Sequence, residues 1–317
     1  MPLCASHNNK QQSPKDHIMK KVGLIGLGAM GSGMAGSLRR AKFDLYVLDV
    51  RPEVSQQFVK DGGTACSSLK ELGSLCDVVV SVVVNAAQTE AVLFGSPDAP
   101  GLVDSLKPGS VFIMCSTVDP NISIAFESRL AEKGILYVDA PISGGAAKAA
   151  SGEMTMMTSA SAQAYDKVND ILNAMSGTVY RLGDRAGIGS KVKVINQLLA
   201  GVHIAAAAEA MALGLREGVD ANALYEVITH SAGNSWMFEN RMAHVLAGDY
   251  KPLSAVDIFV KDLGIVLDMA RASKFPLPLS STAHQMFMQA STAGFAKEDD
   301  SAVIKIFPGI ELPKASK

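Results

Sequence analysis

Cysteine is scarce in this 317-residue chain, with only Cys4, Cys66, Cys76 and Cys115. None stands in C-x-x-C spacing and none adjoins a histidine-rich tract, which argues against a structural zinc site or a redox motif. We therefore expect no metal, and thiols that stay reduced in a cytoplasmic setting. An excess of one charge sign is also missing. The formal net charge is −2 and no basic block occurs, so nucleic acid has no electrostatic footprint to bind. No uninterrupted apolar run reaches the ~18 residues that would mark a membrane span. The first 20 residues, MPLCASHNNKQQSPKDHIMK, lack the hydrophobic segment of a secretory signal and read as a flexible tail.

What the chain does have is bulk for a core. Hydrophobic residues make up 48% and charged residues 19%, the balance of a folded protein, and the length suggests two domains. Val22 to Leu27 is a short apolar run entering a glycine-rich turn. Apolar residues at helical spacing follow from Ala29 to Ala41, and a second run covers Leu45 to Leu48. Strand, turn, helix and strand within about 30 residues make a βαβ unit. The β-branched run from Asp77 to Asn85 predicts a strand buried on both faces. Ser110 to Cys115 and Ile135 to Val138 are shorter strands, with a helix over Asn121 to Lys133. Alternation of this kind predicts a doubly wound, mostly parallel sheet of the α/β class. Past Gly183 the pattern turns helical. Ser190 to Glu217 reads as one long, mostly buried helix with an internal Gly201, and no strand is expected from there to about residue 295. The expected division is a tail over 1–20, a Rossmann-type domain over 21–185 and an all-α domain over 186–317.

Gly26-Leu27-Gly28-Ala29-Met30-Gly31 matches G-x-G-x-x-G between a strand and a helix, the context that makes it a dinucleotide-binding turn. Gly26 permits the tight turn, Gly28 the close approach of a pyrophosphate, and Gly31 the packing of helix on strand. The helix start, at Ala29 and Met30, offers free N–H groups to the anion. Asp49 ends the second strand, about 20 residues past Gly28, where a carboxylate accepts from the adenosine ribose hydroxyls. It would repel a 2′-phosphate and so favours NAD over NADP, with Arg51 acting against that preference. Asn85, Thr117 and the Pro141 segment each follow a strand end, where open α/β sheets bind ligands.

The segment Asp139-Ala-Pro-Ile-Ser143-Gly144-Gly145 holds a turn whose backbone N–H groups can take a carboxylate. It is not a G-x-S-x-G elbow, which removes hydrolase chemistry. On the long helix, Lys193, Asn196 and Gln197 share one side, whereas Lys191 lies about 200° around from Lys193. From periodicity alone a solvated surface lysine is the simpler reading of Lys193. As a base it needs a pKa far below the free value near 10.4. Lys261-Asp262 is a charged pair in an apolar stretch, and Trp236 reads as a packing residue.

Together these segments resemble the β-hydroxyacid dehydrogenase family over residues 21–310. GLGAMG is similar to its cofactor turn, DAPISGGAAKAASG to its substrate-carboxylate motif, GIGSKVKVINQ to its catalytic-lysine motif and FVKDLG to its cofactor-side motif. The resemblance implies a Rossmann domain followed by a helical domain, with a cleft between them. It implies Lys193 as general acid/base and Ser143, Gly144 and Gly145 around the substrate carboxylate. It implies Thr117 and the Val84-Asn85 loop near the nicotinamide ribose, Lys261 near the cofactor, and a homodimer or homotetramer. Segments such as VVVNAAQ, AGNSWMFENRM and KEDDSAVIKIF point within the family to a small sugar-acid substrate. Two positions depart from the common pattern. Gln197 stands where many members have Asn, which leaves open whether it or Asn196 meets the substrate, and Val83-Val84 stands where many have Leu-Pro.

Overall fold

A computed structural model describes residues 20–60, 62–97 and 99–314. Of the tail expected over 1–20, all but Lys20 lies outside these residues, as does Cys4. The chain opens with strand β1 (Lys21–Ile25), helix α1 (Ala29–Arg40), β2 (Asp44–Leu48), α2 (Pro52–Lys60) and β3 (Thr64–Ala65). Then come α3 (Leu69–Leu75), β4 (Val78–Ser81), α4 (Ala86–Phe94), β5 (Val111–Met114), α5 (Pro120–Ala131) and β6 (Leu136–Asp139). These six strands pair in parallel, in the order β3-β2-β1-β4-β5-β6. Separate apolar clusters lie on the two faces of the sheet. Met34, Leu38 and Val47 belong to one; Leu72, Leu93, Phe112 and Phe126 belong to the other. Each fully buried side chain of this kind contributes roughly 1.5–3 kcal/mol.

One expectation needs correction. The β-branched run Asp77 to Asn85 forms a strand only over Val78–Ser81. Its neighbours β1 and β5 end at Ile25 and Met114, and a strand is as long as the partners that satisfy its backbone. Val82 to Asn85 therefore leave the sheet at its carboxyl edge, after one last bond from Val82 N to Ile25 O at 2.8 Å. The sheet is mostly parallel, as expected, and it also has an antiparallel edge. Strand β7 (Ile142–Ser143), helix α6 (Gly145–Ser151), β8 (Met154–Ala160), α7 (Ala162–Met175) and β9 (Ser176–Gly183) complete the sheet. Strand β8 runs antiparallel to both β6 and β7, with Asp139 opposite Ser159 and Ile142 opposite Met156. The register continues across Ala140-Pro141, so β6 and β7 are one strand interrupted by proline, which cannot donate to the ladder. β9 lies parallel on the far side of β8.

The rest is helical: α8 (Ile188–Arg216), α9 (Ala221–Thr229), α10 (Trp236–Ala247), α11 (Val256–Ala272) and α12 (Pro278–Ala290), closed by a 3₁₀ segment over Asp300–Ile306. Helix α8 is the centre of this half, and its core includes Ile204, Met211, Phe238, Phe259, Leu263 and Phe287. Gly201 has a packing cause. A Cβ there would lie 2.9 Å from Leu263 Cδ1, so glycine lets α11 press against α8. By length and composition α8 could cross a membrane. It carries Lys191, Lys193, Asn196 and Gln197 in its first turns, however, and packs against α10, α11 and α12. It is also less buried than its composition suggests. Ile188, Val192, Ile195, Leu199 and Leu213 stay between 36% and 62% exposed.

Candidate active site

The glycine-rich turn sits where β1 leaves the sheet. A Cβ on Gly31 would fall 1.8 Å from Gly26 O, so no larger residue fits between turn and helix. A Cβ on Gly28 would meet nothing within 4 Å, which leaves open space on the side a pyrophosphate must approach. No side chain caps α1, so the first N–H groups of the helix remain available to an anion. These features fit a bound dinucleotide. Asp49 does more than end β2. Its Oδ2 accepts from Leu27 N at 2.7 Å, inside the turn, and its Oδ1 accepts from Arg51 N at 2.9 Å and Arg51 Nε at 3.1 Å. Burial pushes this carboxyl up, but the hydrogen bonds from Arg51 and Leu27 outweigh it and hold the group below its ordinary value. A groove of about 710 Å³ starts at Leu27 and Ser32 and runs between α1 and α2 to Arg39 and Phe58. It adjoins the turn and contains none of the lysines considered below.

At the carboxyl edge, Asn85 caps α4, its Oδ1 accepting from Gln88 N at 2.9 Å. Gln88 Oε1 in turn accepts from Val84 N at 2.8 Å. The loop is tied to its neighbour by Ser116 Oγ, which donates to Val83 O at 2.7 Å. Val84 itself is exposed, and Thr117 follows β5 on the adjoining loop.

Lys193 is buried, not solvated. It is 7% exposed, and its Nζ donates to Gln197 Oε1 at 2.7 Å, one helical turn on. Asn196 Nδ2 donates to the same oxygen at 3.0 Å. The other end of the Gln197 amide, Nε2, donates to Asp262 Oδ2 at 2.5 Å across the α8–α11 contact that Gly201 permits. Lys261 Nζ binds Asp262 Oδ1 at 2.5 Å and donates to Thr117 O at 3.2 Å. A continuous chain of hydrogen bonds thus runs from Lys193 through Gln197, Asp262 and Lys261 to the loop that follows β5. Burial lowers the Lys193 pKa, Asp262 raises it, Lys261 lowers it further, and the result is about 8. A lysine so placed can exchange a proton near neutral pH.

The structure therefore brings Lys193, Asn196, Gln197, Lys261 and Thr117 into one network, and the turn residues with Asp49 into another. Ser143, Gly144 and Gly145 belong to neither. Ser143 pairs with Thr155 in the sheet, and the stem of Lys148 packs across Gly144. Residue-by-residue reading missed the part played by Asp262 in holding Gln197. Its signal was present as a charged pair in an apolar stretch, but the partner lies 65 positions away.

Comparison with known proteins agrees with this geometry. Residues 21–183 match the family described as the NAD binding domain of 6-phosphogluconate dehydrogenase. Residues 187–307 match the family described as NAD-binding of NADP-dependent 3-hydroxyisobutyrate dehydrogenase. The chain is 68% identical to L-threonate dehydrogenase of Cupriavidus necator, covering 93% of this chain and 99% of that one. It is 52% identical to L-threonate dehydrogenase of Pectobacterium atrosepticum, over 92% and 96%. The crystal structure of 3-hydroxyisobutyrate dehydrogenase from Salmonella typhimurium superposes with a TM-score of 0.86 at 51% identity, covering 91% of this chain and all of that one. With a dinucleotide turn, a helical second half and a match along nearly its whole length, the chain belongs to the β-hydroxyacid dehydrogenase family of NAD-dependent oxidoreductases.

Proposed function

We propose that this chain oxidises L-threonate at C2 to 2-dehydro-L-erythronate, with Lys193 as the general base. The observation that carries the reading is the buried Lys193, its pKa drawn down to about 8 and its ammonium steered by Gln197 and Asp262. The substrate name comes from the relatives at 68% and 52% identity. Gly26, Leu27, Gly28, Ala29, Met30 and Gly31 hold the pyrophosphate, and Asp49 holds the adenosine ribose. Val84, Asn85, Thr117 and Lys261 surround the nicotinamide end. Bound NAD supplies the acceptor for the hydride that leaves C2. Ser143, Gly144 and Gly145 take the substrate carboxylate, and neutral Lys193 takes the C2 hydroxyl proton. Gln197 has both ends of its amide engaged, which favours Asn196 as the residue that meets a substrate hydroxyl. Asp49 favours NAD over NADP, because a 2′-phosphate would face a buried carboxylate; Arg51 offsets part of that repulsion.

A second reading, 3-hydroxyisobutyrate as substrate, is favoured by the name of the solved Salmonella typhimurium protein at 51% identity. Steady-state NADH formation with L-threonate, D-threonate, D-erythronate and 3-hydroxyisobutyrate separates the two, and NADH oxidation with tartronate semialdehyde covers a further family activity. We expect the highest kcat/KM with L-threonate; activity confined to 3-hydroxyisobutyrate rejects the first reading.

The pH profile tests the base. Oxidation needs neutral Lys193, so kcat/KM should rise with pH through about 8 and level off above it. Asp262 stabilises the ammonium form, so Asp262→Asn should move that limb to lower pH. A limb that stays in place means that another group is being titrated.

The same reading divides the chain into a dinucleotide-binding unit over 21–185 and a helical unit over 186–317, working in the cytoplasm. It also makes the enzyme a homodimer or homotetramer. Ile188, Val192, Ile195, Leu199 and Val202 recur along α8 at alternating spacings of four and three, the pattern of a helix-pairing seam, on the side away from buried Lys193. Ile195→Asp with Leu199→Asp should lower the mass measured by light scattering to that of a smaller assembly. An unchanged mass places the subunit contact elsewhere.

A further inference from the structure

Helix α8 carries Lys193 yet begins without a cap of its own. Its N-cap is Gly187, which has no side chain to offer. The missing acceptor comes from the sheet. Asp139, the last residue of β6, is fully buried. Its Oδ2 accepts from Gly187 N at 2.9 Å and from Ser190 N at 2.9 Å, and its Oδ1 accepts from Ser190 Oγ at 2.6 Å. Ser159 on β8 adds a longer bond to Oδ2 at 3.3 Å and accepts from Gly189 N at 3.0 Å. Gly189 is in van der Waals contact with the same strands; a Cβ there would stand 2.4 Å from Met157 O. None of these partners is a cation. Burial pushes the Asp139 carboxyl up, and the hydrogen bonds from Ser190 and Gly187 pull against that rise. The carboxyl sits at a helix N-terminus, where the dipole favours a negative charge.

Asp139 lies four residues before Ser143, on the same interrupted strand. Ser190 lies three residues before Lys193 on α8. One carboxylate therefore fixes the helix that carries the proposed base against the strand that carries the proposed carboxylate turn. We infer that Asp139 is a positioning residue for the reaction, which sets the register between Lys193 and the Ser143–Gly145 turn by capping α8 from another element. The inference rests on the dehydrogenase reading above. The cap is geometrically selective. An amide at residue 139 has nearly the carboxylate's shape, but keeps one acceptor oxygen and turns an NH₂ group toward the donors of Gly187 or Ser190. A displacement of about 1 Å between a base and its substrate can cost about 10²-fold in rate.

The test is Asp139→Asn, with kcat expressed per NADH-binding site. We expect kcat to fall about 10²-fold, KM for L-threonate to change by less than about threefold, and NADH to bind as in the parent enzyme. Amide hydrogen exchange should speed up in peptides covering residues 186–195 and stay unchanged in β1, β4 and β5. A purely structural residue would lower the number of binding-competent molecules and leave kcat per site intact, which would overturn the inference. So would a kcat within about twofold of the parent with unchanged exchange. Should Asp139→Asn fail to fold, Ser190→Ala removes only the Oδ1 bond and should still lower kcat per site about tenfold. Full activity in Ser190→Ala would then overturn the inference. Lys193→Met separates the role of the base from that of the cap. Turnover in that variant rejects the general-base reading, whereas the exchange result in Asp139→Asn still decides whether the cap exists.

Discussion

Lys193→Met is expected to lose about 10²–10⁴ of kcat for L-threonate oxidation, the range that a positioned general base contributes, while NADH binding is retained. Methionine keeps the buried volume and removes a charge that burial disfavours, so the variant should fold and be at least as stable as the parent. Gln197 keeps its acceptor engaged through Asn196 Nδ2 and its donor through Asp262, so the rest of the network stays in place. Lys193→Arg is the sharper variant. It retains a cation that could attract a substrate carboxylate, but guanidinium does not lose its proton in proteins. If Lys193 acts as a base, Arg fails as Met does. If Lys193 only attracts the carboxylate, Arg keeps much of the turnover. Steady-state NADH formation by both variants, with NADH titrated by fluorescence, decides between these roles.

The second large effect concerns stability. Arg241 on α10 meets Asp300 through Nε to Oδ1 at 2.5 Å and through the second amino group to Oδ2 at 3.1 Å. Both residues are buried in the helical half. Burial pushes the Asp300 carboxyl up to about 6 against the pull of Arg241. Arg241→Met leaves that carboxyl without its cation and should destabilise the helical half by about 3–5 kcal/mol. Arg241→Met combined with Asp300→Leu removes both charges and should recover most of the loss, because an apolar pair of similar volume replaces a buried ion pair at little cost. Urea unfolding followed by the fluorescence of Trp236, the single tryptophan, reports on this region directly, since Trp236 opens the same helix. Equal destabilisation in the single and double variants would show that volume, not charge, is what the pair supplies.

Local chemistry was easiest to read in advance. The dinucleotide turn is legible because its requirements, glycine at three spacings and a carboxylate at the next strand end, are met by neighbours in the chain. The parallel strands were legible because burial on both faces demands β-branched runs. The antiparallel edge was not. β8 is rich in Met and Thr rather than β-branched throughout, and its partners are two short pieces, Leu136–Asp139 and Ile142–Ser143, separated by Ala140-Pro141. Gly201 was visible as an anomaly in a helix, but its cause is Leu263 on another helix. Lys193 looked like a surface lysine because periodicity reports a helix face, not what covers it. Family resemblance, rather than periodicity, pointed to its importance. The exposed stripe on α8 was hidden for a related reason. A helix so rich in Ala, Leu and Met reads as mostly buried, and here one apolar side remains open.

Hydride is expected to leave C2 of L-threonate in this site while Lys193 takes the hydroxyl proton. The most direct test is turnover of L-threonate carrying deuterium at C2. The rate should be slower than with the unlabelled acid under conditions where chemistry limits turnover, with deuterium recovered in the reduced cofactor. Reduced cofactor free of deuterium, formed at an undiminished rate, would contradict it.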